Sequence, residues 1–170
     1  MRGLFIGRFQ PFHMGHMKVV EEIIGSVDKL VIGIGSAQLS HTENDPFTAG
    51  ERHMMISESL NEKKIENYYI IPLIDINRYS VWVSHVCSLV PKFDVVYTKN
   101  DLSAALFYEA GFEVRQPKLY DREKYSGKEV RRRMIEGEDW RSLVPEGTAR
   151  IIDDILGVER LKLLSMEGKR

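Results

Sequence analysis

His13 and His16 stand three residues apart with Gly15 between them, inside Gly7-Arg8-Phe9-Gln10-Pro11-Phe12-His13-Met14-Gly15-His16. The apolar run Leu4-Phe5-Ile6 precedes this stretch and an amphipathic run over 17–24 follows it. That order predicts a strand, a tight turn and a helix, with both imidazoles at the helix mouth. A helix N-terminus carries unpaired N–H groups and partial positive charge, so it attracts phosphate. Imidazoles there add donors, and positive charge when protonated. The stretch reads as a cradle for the phosphates of a nucleotide. Other chemistries fit less well. Half of a metal site lacks a cysteine cluster or a His-Glu-x-x-His helix. A Walker A loop lacks its Gly-Lys-Ser/Thr. Gly33-Ile34-Gly35-Ser36-Ala37-Gln38 mimics a dinucleotide fingerprint without its third small residue. His53 and His85 carry no such context and read as satisfied structural residues.

The second chemical stretch is Ser126-Gly127-Lys128-Glu129, a Ser-x-x-Glu capping box at the start of a basic helix. Lys128 and Arg131 to Arg133 put cations near that start, which costs about 0.3–1 kcal/mol each against the helix dipole when exposed. An anion held there would offset the cost. Arg132 and Arg133 read as a solvated basic face; Arg131, and less strongly Lys128, read as anion ligands.

The elements that must position these groups follow from the apolar pattern. Strands are expected at 2–7, 28–35, 68–74, 94–97 and 112–114. Helices are expected at 17–24, from the Thr48-x-x-Glu51 capping box to about residue 60, at 81–90, from about 101 to 109, and at 130–135. Residues 117–125 read as irregular. The stretch 140–164 reads as amphipathic helix broken near Pro145 and Gly157, and 165–170 as a frayed tail. Alternating strands and helices imply a doubly wound α/β fold with a parallel five-stranded sheet and a helical C-terminal segment, in one domain over 1–170. Ligands bind such sheets beyond the carboxyl ends of the strands. Loops 7–16, 35–47, 75–80 and 97–101 all fall there.

Composition narrows the classes. The 170 residues are 43% hydrophobic and 29% charged, with net charge -1 and one cysteine. No general attraction to nucleic acid follows from that balance, and no run is long enough to span a membrane. The lone Cys87 cannot form an internal disulfide, which suits a reducing, cytoplasmic setting; its apolar neighbours predict a small core filler.

The combination of the His13/His16 stretch with Ser36-Ala37-Gln38-Leu39-Ser40-His41, Asn44 to Arg52 and Tyr125 to Met134 resembles the archaeal nicotinamide mononucleotide adenylyltransferases over nearly the whole chain. The short His-x-Gly-His core alone marks only the wider nucleotidyltransferase superfamily. The resemblance implies a Rossmann-like domain that joins ATP and nicotinamide mononucleotide into NAD and releases pyrophosphate. It also implies Mg²⁺ or a similar divalent cation, and a homo-oligomer, commonly a hexamer. Carried over by motif, Arg8, His13 and His16 contact the ATP phosphates. Arg131 and the backbone after Ser126, at Gly127 and Lys128, hold the β- and γ-phosphates. Gly7, Phe9, Gly15, Gly33, Gly35 and Ser36 shape the nucleotide pocket. Trp82 stacks on the nicotinamide, with Asp75, Ile76 and Tyr79 beside it; from aromatic content alone Trp82 is equally a core residue. His41 is a weaker phosphate candidate. The pattern departs at Asn44, where some relatives carry Arg, at Lys128, where Thr is usual, and at Tyr79, where Asn is frequent.

The inventory fits this chemistry without the resemblance. The nucleophile is the acceptor's own phosphate, mostly ionised near neutral pH because its second pKa is about 6. No protein nucleophile or metal cage is needed; positioning and charge stabilisation suffice. Two alternatives share the same residues: transfer to another phosphate acceptor such as phosphopantetheine or flavin mononucleotide, and a non-catalytic sensor of NAD or ATP.

Overall fold

The computed structural model describes residues 1–118 and 120–169; the expected irregular stretch and frayed tail include Leu119 and Arg170, which lie outside the described residues. The elements run β1 (Arg2–Gly7), α1 (Met14–Ile24), β2 (Lys29–Ile34), α2 (Ala49–Glu62), β3 (Tyr68–Pro72), α3 (Trp82–Leu89), β4 (Val95–Tyr97), α4 (Asp101–Glu109), β5 (Glu113–Arg115), α5 (Gly127–Glu136), α6 (Glu146–Asp154) and α7 (Gly157–Glu167). The chain packs as two compact units. One holds 1–8, 19–37 and 67–118, the other 9–18, 38–66 and the described residues of 119–170.

The first unit carries the sheet. All neighbouring strands are parallel, in the order β3-β2-β1-β4-β5. The order runs outward from β1 in one direction and then in the other, the Rossmann-like, doubly wound arrangement the strand pattern predicts. Its switch point lies between β1 and β4. Leu4 pairs with Val31 on one side and Val96 on the other, so one row of side chains lines one face. That row joins Leu73, Val86, Phe93 and Phe107 in a buried cluster under α3 and α4. Val86 is the fully buried residue of α3, so Cys87, about 100° further round, is exposed rather than core. The expected filler role for Cys87 fails for that reason.

The second unit is helical. Gly147 of α6 packs so closely on α2 that a Cβ would lie 2.7 Å from the Ser59 nitrogen. The buried Ser59 and Thr148 hydroxyls bond at 3.0 Å across the same contact. The Thr48/Glu51 capping box forms as expected at α2. Glu51 also takes both terminal nitrogens of Arg160 from α7, at 2.7 and 2.8 Å, and Arg160 Nη1 donates to the Pro46 carbonyl. The region read as 140–164 is a 3₁₀ turn, α6 and α7. The breaks fall at Pro145 and just before Gly157, and α7 continues to Glu167, inside the stretch expected to fray.

Burial pushes the Glu51 carboxyl up, but hydrogen bonds from Arg160 and the Thr48 amide outweigh it and hold it below the usual range. A depressed carboxyl pKa stabilises the fold above the unfolded value of about 4.3 and loses that contribution as pH falls through the folded value. Arg160→Met is therefore expected to cost about 1–3 kcal/mol at neutral pH, the range for hydrogen bonds to a charged group with few other partners. Urea unfolding at a series of pH values checks this: the gap between the variant and the original shrinks below about pH 4.

Candidate functional site

In the helical unit, His13 is the N-cap of α1. Its carbonyl accepts from Met17 N at 3.0 Å, and its Nδ1 accepts from Gly15 N at 3.1 Å and His16 N at 3.4 Å. His16 answers in kind, its Nδ1 accepting from His13 N at 3.2 Å. The two rings stack with centroids 3.6 Å apart. This is a capping box built from imidazoles instead of Ser and Glu. It explains why α1 begins at Met14, three residues before the apolar periodicity: the cap is supplied by residues outside the usual Ser/Thr/Asp/Asn set.

The lock also corrects the expected source of charge. An imidazolium offers only donors, so a ring whose Nδ1 accepts is neutral and carries its proton on Nε2. The pair brings Nε2–H donors, not added positive charge. Gly15 permits the arrangement. A Cβ there would lie 2.9 Å from His13 Cε1 and 3.1 Å from Tyr125 Cβ. Phe9 supports the pair from below: it is 1% exposed and packs edge-on to His16 at 4.8 Å. Its backbone is left-handed, φ 54°, a strain of about 1–3 kcal/mol for a residue of this size.

The second helix mouth lies in the same unit. Ser126 caps α5, its Oγ accepting from Glu129 N. The reciprocal half of the expected box is missing. The Glu129 carboxylate is taken instead by Arg132 and Arg133 at 2.8–2.9 Å, since charge-assisted bonds outcompete one backbone N–H. Those two guanidinium groups hold Glu129 down to about 2. Arg132 further pairs with Glu136 and Glu138. The cations that seemed misplaced on α5 are thus largely neutralised on their own helix. Arg131 differs: it is 9% exposed and its Nη1 donates to the Gln10 carbonyl at 2.7 Å. Lys128 is exposed on the first turn. Gly127 lies so close that a Cβ would sit 2.9 Å from Arg131 Nη1 and 3.0 Å from the Gln10 oxygen. Gly127→Ala is therefore expected to push Arg131 off that carbonyl and cost about 1–3 kcal/mol of stability, the scale for a buried acceptor left unpaired. A thermal melt checks it.

The sheet-bearing unit holds a cavity of about 470 Å³ at the carboxyl ends of the strands. Ile6, Gly7 and Arg8 reach it from β1, and Gly35 and Ser36 from β2. Asp75, Ile76, Asn77, Arg78 and Tyr79 follow β3, Trp82 opens α3, and Thr98, Asn100 and Ser103 follow β4. Gly35 N donates to Gly7 O at 2.8 Å, joining the first two loops. His85, read as structural, bonds the Ile74 carbonyl at 2.8 Å and so steadies the third. The Trp82 ring packs edge-on to core Phe107 at 5.4 Å, as the core reading expects, and the residue also lines the cavity. Gly33 does not line it. The space of its absent side chain is filled by Leu73, 2.6 Å from where a Cβ would stand. Asn44 and His41 are exposed in the loop before α2; His41 bonds Ser40.

Arg8, Gly7, Gly35, Ser36, Asp75, Ile76, Tyr79 and Trp82 thus gather in the first unit, and Phe9, His13, Gly15, His16, Ser126, Gly127, Lys128 and Arg131 in the second. Sequence reasoning missed Gln10, Arg78, Thr98, Asn100 and Ser103. Asn100 left a signal: it follows β4 and caps α4, accepting from Ser103 N. Among the described residues no helix is long and apolar enough to cross a membrane, and no three His, Cys, Asp or Glu residues cluster to hold a metal.

Known proteins resemble this chain over most of its length. Residues 4–133 match the cytidylyltransferase-like family model. A nicotinamide-nucleotide adenylyltransferase from Methanothrix thermoacetophila is 59% identical over 164 residues, 96% of each chain. One from Archaeoglobus fulgidus is 55% identical over 170 residues, covering 97% of this chain and 98% of that one. A bifunctional NMN adenylyltransferase/ADP ribose pyrophosphatase from Francisella tularensis, solved with AMP and a manganese ion, superposes with TM-score 0.82 at 21% identity. It matches 99% of this chain, which spans 52% of that longer one.

Proposed function

The chain belongs to the cytidylyltransferase-like family, and we propose that within it this protein is a nicotinamide-nucleotide adenylyltransferase, transferring AMP from ATP to nicotinamide mononucleotide to give NAD and pyrophosphate. An oxygen of the acceptor phosphate attacks the α-phosphorus of ATP. The bond from that phosphorus to the bridging oxygen breaks in line, and pyrophosphate leaves with the electron pair. No protein base is required, because the acceptor phosphate is already ionised.

The observation that carries the reading is the junction of two helix mouths in one unit: the interlocked His13/His16 cap on α1 and the Ser126-capped start of α5 with Arg131 beside it. His13 and His16 donate from Nε2 to phosphate oxygens, and His16 stabilises charge as it moves to the leaving group. Arg131, the backbone at Gly127 and the Lys128 ammonium hold the β- and γ-phosphates. Preorganised donors of this kind supply most of the rate in such reactions. Arg8, in the sheet-bearing unit, is a further phosphate ligand by its place in the motif. In the sheet-bearing unit, the cavity takes a nucleotide half. Trp82 offers a ring face to the cationic nicotinamide, worth about 0.5–2 kcal/mol, with Asp75, Ile76 and Tyr79 alongside. Gly7, Gly35 and Ser36 let that half approach the backbone.

The divalent ion would be Mg²⁺, arriving with ATP. Mg²⁺ commonly binds through phosphates and waters rather than through a protein cage. It would neutralise charge on the triphosphate. The protein works in the cytoplasm as a homo-oligomer of hexamer size; Leu156, Leu163 and Met166, exposed along α7, support self-association.

A panel of nicotinamide mononucleotide, nicotinate mononucleotide, phosphopantetheine and flavin mononucleotide with Mg-ATP, read by pyrophosphate release, tests the assignment. Fastest turnover with a pyridine mononucleotide is expected. Turnover confined to the other two acceptors, or tight NAD binding without pyrophosphate release from any of them, would refute it.

A further inference from the structure

Gln10 lies between the two helix mouths, and nothing in its residue type suggested a role. Its side chain is 3% exposed. Gln10 Nε2 donates to the Phe47 carbonyl at 3.0 Å, and Oε1 accepts from Phe47 N at 3.0 Å. This reciprocal pair mimics one rung of backbone pairing and fixes both the position and the flip of the amide. The Gln10 carbonyl is the acceptor for Arg131 Nη1 at 2.7 Å. Phe47 is itself fully buried and directly follows Pro46, whose carbonyl is held by Arg160. A continuous chain of bonds therefore runs from the loop before α2, through the Gln10 amide, to the Gln10 carbonyl and the Arg131 guanidinium.

We propose that Gln10 is a positioning residue for the transfer reaction: it sets the carbonyl on which Arg131 is aimed and ties the turn after β1 to the loop before α2. The inference rests on the role given above to Arg131. A rigid rung is what such a role requires. The guanidinium is long and flexible, and a shift of about 1 Å in a positioned group can cost about 10²-fold in rate. At this reach glutamine offers both a donor and an acceptor at every pH. Glutamate offers two acceptors when ionised and regains a donor only when protonated. The charged groups about this junction are Arg131 on α5 and, at the neighbouring Pro46 carbonyl, Arg160 on α7 with Glu51 on α2.

The test compares Gln10→Leu, Gln10→Glu, Arg131→Ala and the double variant Gln10→Leu/Arg131→Ala, each checked for cooperative thermal unfolding. Gln10→Leu is expected to lower kcat about 10–100-fold with KM for ATP changed less than about threefold. In the Arg131→Ala background the same change should lower kcat no further, because residues acting through one another are not additive. Gln10→Glu keeps the inference testable if the leucine variant does not fold. Its kcat relative to the original protein should rise about fivefold or more between about pH 8 and pH 5.5, as the carboxyl regains its proton and its donor. A Gln10→Leu variant within about twofold of the original kcat, additive losses in the double variant, or a flat Gln10→Glu ratio overturns the inference and leaves the Arg131 assignment standing. Full activity in Arg131→Ala overturns both.

Discussion

Replacing His16 by alanine lowers kcat about 10²–10⁴-fold with a modest change in KM for ATP, the effect of deleting a preorganised donor whose bond strengthens as charge develops. The substitution also removes the acceptor for His13 N, so the first turn of α1 loosens. His16→Gln separates the two effects. A glutamine at this position can still reach back to the N-cap N–H, as in an ordinary capping box. Once its Oε1 takes the cap bond, its amide Nε2–H donors no longer stand where the imidazole Nε2–H pointed. His16→Gln should therefore keep most of the thermal stability that His16→Ala loses and keep little of its rate. Paired melts and steady-state kinetics make the comparison; a glutamine variant with near-normal kcat would remove His16 from the chemistry.

Arg131→Ala is expected to lower kcat/KM about 10²–10³-fold, again the scale of one charge-stabilising donor. It should also cost about 1–3 kcal/mol of stability, because the Gln10 carbonyl is left inside without its partner. Arg131→Lys tests geometry against charge. Lysine restores the charge but not the planar guanidinium that, in the proposed role, would reach both the carbonyl and a phosphate. Recovery of no more than about a tenth of the lost activity is expected. Arg132→Ala makes the contrast, since Arg132 pairs with Glu129, Glu136 and Glu138; its loss should be felt in stability rather than in turnover.

The parts of this protein that were legible in its sequence are those where one residue type answers one local demand. Short continuous apolar runs such as Leu4-Phe5-Ile6 and Leu30-Val31-Ile32, each closed by a glycine-bearing turn, fit strands covered on both faces, and the parallel sheet follows from them. Thr48 and Glu51 form the box their spacing promises. Gly15 and Gly127 stand where backbone and ring come too close for a Cβ, so the motif glycines were visible as glycines. Where sequence reasoning failed, two local rules competed. Glu129 could cap Ser126 or pair with Arg132 and Arg133, and spacing alone does not rank a neutral bond against two charged ones. His13 and His16 could charge the helix mouth or cap it, and only the ring geometry decides for capping. Cys87 sits among apolar residues in sequence, but the helix turns it away from them. Gln10 left no signal because its partner, Phe47, contributes only backbone atoms, which any residue carries.

The left-handed residues show the same limit. Phe9, Ser36 and Asn77 take φ values of 54°, 46° and 54° in the loops that follow β1, β2 and β3. Strained backbone of this kind concentrates at functional sites. None of these residues is a glycine that would have advertised the bend.

The most direct measurement is a crystal structure of the protein with a non-cleavable ATP analogue, Mg²⁺ and nicotinamide mononucleotide. The account predicts triphosphate oxygens at about 3 Å from a His13 or His16 Nε2 and from the Arg131 guanidinium, with both histidine Nδ1 atoms still bonded to the start of α1. A triphosphate seated away from the α1 and α5 mouths, or a histidine pair that gives up its cap to bind it, would contradict the account.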